Sequence, residues 1–228
     1  VTIWGQGDKA VSNNKIPYGK YVFEVFTVFL GVTLAFLVNH WQEETRKEAL
    51  RQEYWQSFLR EVKSNQSELD SVITRNTAKL NQMQEVAQKW RQKKLEVAAL
   101  DEILNLLTNL NIVAFRTSTY EAVKSGGTWH IFTNTRLVLD VIRYYHLISE
   151  AKILQDILLD QFNHNILAFL QTHVDFLMED SDSSLLKNRQ MRNIFALSLS
   201  LQQQLQEKYQ EVFEQGQEVL KSLESINR

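Results

Sequence analysis

Seventeen residues from Val22 to Val38, VFEVFTVFLGVTLAFLV, carry a single charge, Glu24. At 1.5 Å per residue a helix of this length is roughly 25 Å long, at the short end of what crosses a hydrocarbon core. Tyr18 and Tyr21 stand before the run and Trp41 after it. Rings with a polar tip prefer the headgroup level, so these fit two interfacial belts. A buried helix of a soluble fold and a cleavable signal peptide are the competing readings. No A-x-A pattern follows the run, which continues as Asn39-His40-Trp41-Gln42, so an uncleaved anchor is the reading taken. It divides the chain into a tail at 1–20, a transmembrane helix at 21–41 and a helical domain at 42–228.

Within that helix Thr27, Gly31, Ala35 and Asn39 recur every four residues, with Glu24 three positions before Thr27. Helical geometry puts them on one side as a small and polar stripe. In lipid, small residues let backbones approach closely, and tight packing replaces the hydrophobic drive. Glu24, Thr27, Gly31, Ala35 and Asn39 are therefore the candidate contact face, for a second copy or for a membrane-protein partner. Chance is the alternative, because Gly, Ala and Thr are common in such helices. Glu24 lies near the start of the run, where it can reach the interface or be favoured by the positive helix end; a partnered or proton-linked role is the other reading. Lys9, Lys15 and Lys20 precede the segment and Arg46, Lys47 and Arg51 follow it. The positive-inside count is thus nearly even, and the orientation taken is a short tail inside with the large domain outside.

The remaining chain reads as all-α. One proline and seven glycines in 228 residues leave too few turn-formers for an all-β fold. From Gln42 to Lys94 apolar residues from Leu50, Tyr54, Phe58 and Val62 through Leu69, Met83 and Trp90 fall at helical spacing on one stripe. Glu44, Lys47, Arg60, Glu61 and Lys63 read as the solvated face. No boundary signal separates this helix from the membrane segment. A short helix is expected at Leu100–Leu110. The least regular stretch follows, Asn111–Thr135, with a capped turn in which Ser118 and Glu121 form a capping box and Gly126 and Gly127 terminate. Long helices are expected at Asn134–Met178 and Leu186–Ile226, the second bent near Ser198–Ser200, joined by a polar turn at Glu179–Ser184. The sum is an elongated antiparallel helical bundle after one membrane helix.

Three places carry a resemblance. Tyr21-Val22-Phe23-Glu24-Val25 leads into Phe29-Leu30-Gly31-Val32-Thr33-Leu34-Ala35. Asn39-His40-Trp41-Gln42-Glu43-Glu44 closes the membrane helix. Thr119-Tyr120-Glu121-Ala122-Val123-Lys124-Ser125-Gly126-Gly127 is followed by Arg143-Tyr144-Tyr145. Together they resemble a family of uncharacterised single-pass bacterial membrane proteins, from which the chain departs at His40, where the pattern has Asn. The resemblance implies a protein of the bacterial inner membrane with an extracytoplasmic helical domain, and carries no activity with it.

Chemistry is sparse. The chain has 25 basic and 27 acidic residues and a net charge of -2, which gives no general attraction to nucleic acid. Cysteine is absent, so disulfides, thiolate metal sites and a cysteine nucleophile are excluded. No phosphate-loop, dinucleotide, zinc-protease or serine-elbow motif is present. Asp156, Asp160 and His164 share a helix face at four-residue steps and are the best metal candidates; a solvated polar face is the reading preferred, because helical di-metal bundles use E-x-x-H motifs. The candidate ligand or partner loop is Tyr120, Glu121, Lys124, Gly126, Gly127 and Trp129, clustered where the chain is least regular. The bland reading is a short helix that packs Tyr120 and Val123 and ends on Gly.

The function expected is a membrane-anchored interaction or scaffold protein with no enzymatic activity, cofactor or metal, acting through a homo-oligomer or a membrane partner. A small-molecule sensor that signals through a partner is the second reading. A hydrolase or metal enzyme is the third.

Overall fold

The described residues of this computed structural model are 18–96, 98–174 and 183–226, with side chains described for all of these except 18–20, 183 and 226. Residues 1–17, Asp175 and the polar turn expected at Glu179–Ser184 as far as Asp182 lie outside them. The protein is all-α, with no strand among the described residues. Contacts divide it into two units, one ending at Leu50 and one beginning at Arg51.

Helix α1 spans Tyr18–Arg91, so the apolar run and the first amphipathic helix are one uninterrupted element. It ends in a Schellman closure. The Lys94 N–H donates to the Lys89 carbonyl at 2.9 Å and the Lys93 N–H to the Trp90 carbonyl at 3.1 Å. Lys93 takes the left-handed position at φ 58° that glycine favours. In the first unit the side chains of residues 21–46 are all exposed, including Phe23, Phe29 and Phe36. This part of the helix is long and apolar enough to cross a membrane.

The second unit holds the cores. After α1 come α2 (Ala99–Thr108), α3 (Ser118–Ser125), a 3-10 turn (Thr128–Ile131) and α4 (Thr135–Gln161). A π-helical turn (Phe162–Ile166), α5 (Leu167–His173), a second 3-10 turn (Ser183–Lys187) and α6 (Arg189–Ile226) complete it. Asn134 caps α4 by accepting the Leu137 N–H at 3.1 Å. Phe58, Val62 and Leu69 of α1, Val141, Tyr144 and Ile148 of α4, and Tyr209, Val212 and Val219 of α6 are buried. These are the stripes that helical spacing predicts. Lys63 pairs with Glu224 at 2.8 Å, and Gln206 donates to the Ile73 carbonyl and to Thr77 Oγ1 at 3.2 and 2.9 Å. A second cluster closes the far end of α1: Met83 and Val86 pack with Ile103 and Leu107 of α2, Phe169 and Leu170 of α5, and Met191 and Phe195 of α6.

Two details depart from the sequence expectation. The helix expected from Asn134 to Met178 is α-helical to Gln161 and then takes a π turn. Continued α geometry would bring Asn165 round beneath Gln161, four residues on. The wider turn brings Ile166 there instead: Gln161 and Ile166 are buried and Asn165 is exposed. The second detail is Gly216, where α1, α4 and α6 meet. A Cβ added there would lie 2.1 Å from Gln66 Nε2 and 2.8 Å from the Tyr144 ring. A glycine in mid-helix ordinarily weakens the helix by about 1 kcal/mol relative to alanine; here it permits the close approach.

Gly216→Ala should therefore destabilise the protein by about 1–3 kcal/mol, because overpacking outweighs the gain in helix propensity. Urea unfolding measures it, and a more stable variant would contradict the close approach.

Candidate functional site

The irregular chain between α2 and α3 has extended stretches without a sheet to pair with, so its backbone groups need other partners. Polar side chains on one face of α1 supply many of them. Lys79 donates to the Asn109 carbonyl at 2.5 Å, at the C-terminal end of α2. Glu68 Oε1 accepts the Ala114 N–H at 3.1 Å. Asn65 holds Arg116 at both backbone groups: its Nδ2 donates to the carbonyl at 2.9 Å and its Oδ1 accepts the N–H at 2.8 Å. Val113 is held from the other side: its N–H donates to Tyr209 Oη at 3.2 Å and its carbonyl accepts from Gln155 Nε2 at 2.9 Å. Glu61, Asn65 and Glu68 stand at i, i+4 and i+7, the spacing of a single helix stripe.

Glu61 closes this ladder. It is 6% exposed, although sequence reasoning assigns it to the solvated face. Its Oε2 accepts from Ser118 Oγ at 3.0 Å and from the Thr119 N–H at 2.9 Å, and its Oε1 accepts from the Tyr145 hydroxyl. The expected capping box of Ser118 with Glu121 is thus replaced. Thr117 makes no side-chain cap, and the carboxylate that satisfies the second helical N–H comes from α1. A negative charge there also suits the positive end of α3. Burial first, and the Glu61 charge second, push the Tyr145 hydroxyl far above its ordinary pKa, so it stays protonated and donates. Lys79, by contrast, is pushed down to about 8 by burial.

Around this group sits an aromatic cluster. Tyr120 stacks on Tyr145 at 4.4 Å between centroids, and Trp129 lies 6.3 Å from Phe58 and 5.7 Å from Phe132. Lys124 Nζ stands 5.7 Å from the Tyr120 ring centroid. Tyr120, Glu121 and Lys124 line a cleft of about 230 Å³ together with Tyr145, His146 and Lys152. Trp129 turns into the aromatic cluster instead. Gly126 is the C-cap of α3, and Gly127 takes φ 61°, the left-handed conformation that reverses the chain. The loop thus divides into a cleft wall and a structural turn. His146, Ser149 and Lys152 of α4 complete the cleft. Their spacing of three and six residues on one helix is a usable signal, but nothing in sequence relates them to Lys124.

The stripe of small and polar residues on the apolar part of α1 is laid out differently. Glu24, Thr27, Gly31, Ala35 and Asn39 are all on α1 and all exposed. Thr27 Oγ1 donates back to the Phe23 carbonyl at 2.9 Å, which satisfies the hydroxyl within the helix. A Cβ at Gly31 would meet nothing within 4 Å. Asp156, Asp160 and His164 are exposed too; His164 Nδ1 lies 2.9 Å from the Asp160 carboxylate and falls in the π turn.

Glu61→Ala should cost about 2–3 kcal/mol in unfolding free energy, the scale of losing hydrogen bonds to a charged group. Hydrogen exchange at the Thr119 amide should accelerate while Leu106 and Leu107 stay protected. Unchanged exchange at Thr119 would show that α3 does not depend on Glu61.

No known family, curated protein or solved structure matches the chain.

Proposed function

We propose that the chain is a single-pass membrane protein of the bacterial inner membrane whose antiparallel helical bundle presents a binding surface, and that it acts as an interaction or scaffold protein and not as an enzyme. The observation that carries this reading is the full exposure of an apolar helix surface, with Phe23 and Phe36 each 71% exposed and Phe29 67%. An apolar surface on every side of a helix is stable where lipid or another helix covers it. Support for the antiparallel bundle comes from the pairing of Lys63 with Glu224, of Ile73 and Thr77 with Gln206, and of Trp90 with Phe195. The extracytoplasmic side for the bundle rests on the family resemblance.

Within the membrane the contact face is Glu24, Thr27, Gly31, Ala35 and Asn39. Gly31 opens the backbone at mid-helix, so a second helix can approach there. Both a second copy and a different membrane protein fit this face, and the experiment separates them. In mild detergent or native nanodiscs the wild-type chain should run as a complex, and Gly31→Leu should dissociate it by filling the gap with an isobutyl group. A wild-type monomer without a co-purifying protein, together with an indifferent Gly31→Leu variant, would dispose of this role.

A second reading, a small-molecule sensor, is favoured by the cleft beside Tyr120. Lys124, Lys152 and His146 line it with Thr117 and Ser149, which suits a small anion such as a carboxylate or phosphate. A thermal-shift series with inorganic phosphate and small dicarboxylates should raise the melting temperature if the cleft is a sensor site. A flat response to all of them would remove this reading and leave the scaffold role intact.

A further inference from the structure

The richest unexplained surface lies at the opposite end of the soluble unit from Glu61, where α1 terminates against the start of α6. Two adjoining clefts of about 410 and 660 Å³ share Trp90, Arg91 and Arg192. Their floor is apolar: Phe195 is 2% exposed and belongs to the core, and Leu95 and Leu186 pack against the same core. Trp90 is fixed in place. Its indole N–H donates to the Leu186 carbonyl at 3.0 Å and its ring lies 5.5 Å from Phe195. The rim is cationic, built from Arg91, Lys93, Lys187 and Arg192.

Two further observations mark the rim. Among the described residues none of these four cations takes part in an ion pair, so no described carboxylate neutralises them. Lys93 holds the left-handed backbone position that closes α1, where glycine is the low-cost residue. The chain bears that local strain with a lysine whose side chain lines the cleft. Arg192 is also preset, its guanidinium donating to the Lys187 carbonyl at 3.2 Å. Clefts of this size with apolar walls and few fixed polar groups are the ordinary form of a small-ligand site.

We infer that this groove binds a single-chain anionic amphiphile, its tail on Trp90, Leu95 and Leu186 and its anionic head among Arg91, Lys93, Lys187 and Arg192. Four cations on one rim specify the sign of the head. The guanidinium forks of Arg91 and Arg192 suit a carboxylate or a phosphate monoester, each of which accepts paired N–H donors. The partly exposed apolar walls at Trp90, Leu95 and Leu186 favour a ligand with a tail over a bare inorganic anion. The inference is independent of the membrane role and of the cleft beside Tyr120.

The test uses the full chain in neutral phosphatidylcholine nanodiscs, titrated with octyl phosphate, octanoate, octyl glucoside and octyltrimethylammonium. Binding is followed by calorimetry and by tryptophan fluorescence. The same titrations on protein-free nanodiscs subtract partition into the bilayer, and the Arg91→Gln, Arg192→Gln double variant tests the rim; both side chains are exposed, and circular dichroism confirms that the variant is folded. The expected result is saturable binding of at least one anionic probe and none of the neutral or cationic ones. Binding should weaken about tenfold in the double variant and also weaken as salt is raised. Trp90→Phe should remove the fluorescence change while calorimetric binding persists. Preference for octyl phosphate assigns a phosphate head, and equal binding of octanoate assigns an anionic head without further discrimination. Binding of octyl glucoside as tight as that of the anions, an unaffected double variant, or no saturable binding beyond bilayer partition would each overturn the inference.

Discussion

Everything about this chain turns on an apolar surface that the described residues leave exposed. From Tyr21 to Val38 the α1 helix exposes Phe, Val and Leu side chains on all sides. Exposing that much hydrocarbon to water opposes folding at roughly 25 cal/mol per Å². Beyond Arg51 the same helix behaves conventionally and buries one stripe. Both halves obey the same chemistry and differ in the solvent they suit: the first wants an apolar surrounding on every face, the second wants it on one.

In the second unit the other organising device is polar. Glu61, Asn65, Glu68 and Lys79 reach from α1 to the backbone that links α2 to α3. An extended segment cannot lie on a helix bundle with its amides and carbonyls unanswered. Here side chains stand in for the neighbouring strand it lacks, and the Glu61 carboxylate doubles as the cap of α3. The arrangement fixes Tyr145 and, through the Tyr120 stack, one wall of the cleft beside Lys124. Order in the irregular segment is therefore inherited from α1.

Much of this was legible in the sequence, and the failures have a common cause. Helical spacing found the buried faces of α4 and α6, with Val141, Tyr144 and Ile148 or Tyr209, Val212 and Val219 inside as the stripes require. It also placed the end of α3 at Gly126 and Gly127. Sequence reasoning missed the residues whose chemistry and position disagree. Glu61 is charged and so reads as solvated, yet it sits beside Val62 and is buried by a neighbour that the helix itself does not reveal. Gly216 carries no signal of its own in the sequence, because its close approach depends on Gln66 and Tyr144, which are distant in sequence. The π turn after Gln161 is visible only when the register of Ile166 is compared with that of Asn165. The basic groove at Trp90 was equally hidden, because Arg91 and Lys93 are separated from Lys187 and Arg192 by almost 100 positions in the chain.

The groove and the cleft lie in a unit with a buried apolar core, whereas the described side chains around Phe29 are all exposed. That asymmetry is the core of the account, and the lack of cysteine makes it directly measurable. Single cysteines placed at Phe29 and at Gln204, which is exposed on α6, can be exposed to a water-soluble maleimide in membranes from cells producing the full chain. The account requires the protein in the membrane fraction after alkaline wash, with the Phe29 position unreactive until detergent and reagent are added together, and the Gln204 position reactive once its side of the membrane is opened. Protein in the soluble fraction, or a Phe29 cysteine that labels as fast as the one at Gln204 without detergent, would contradict it.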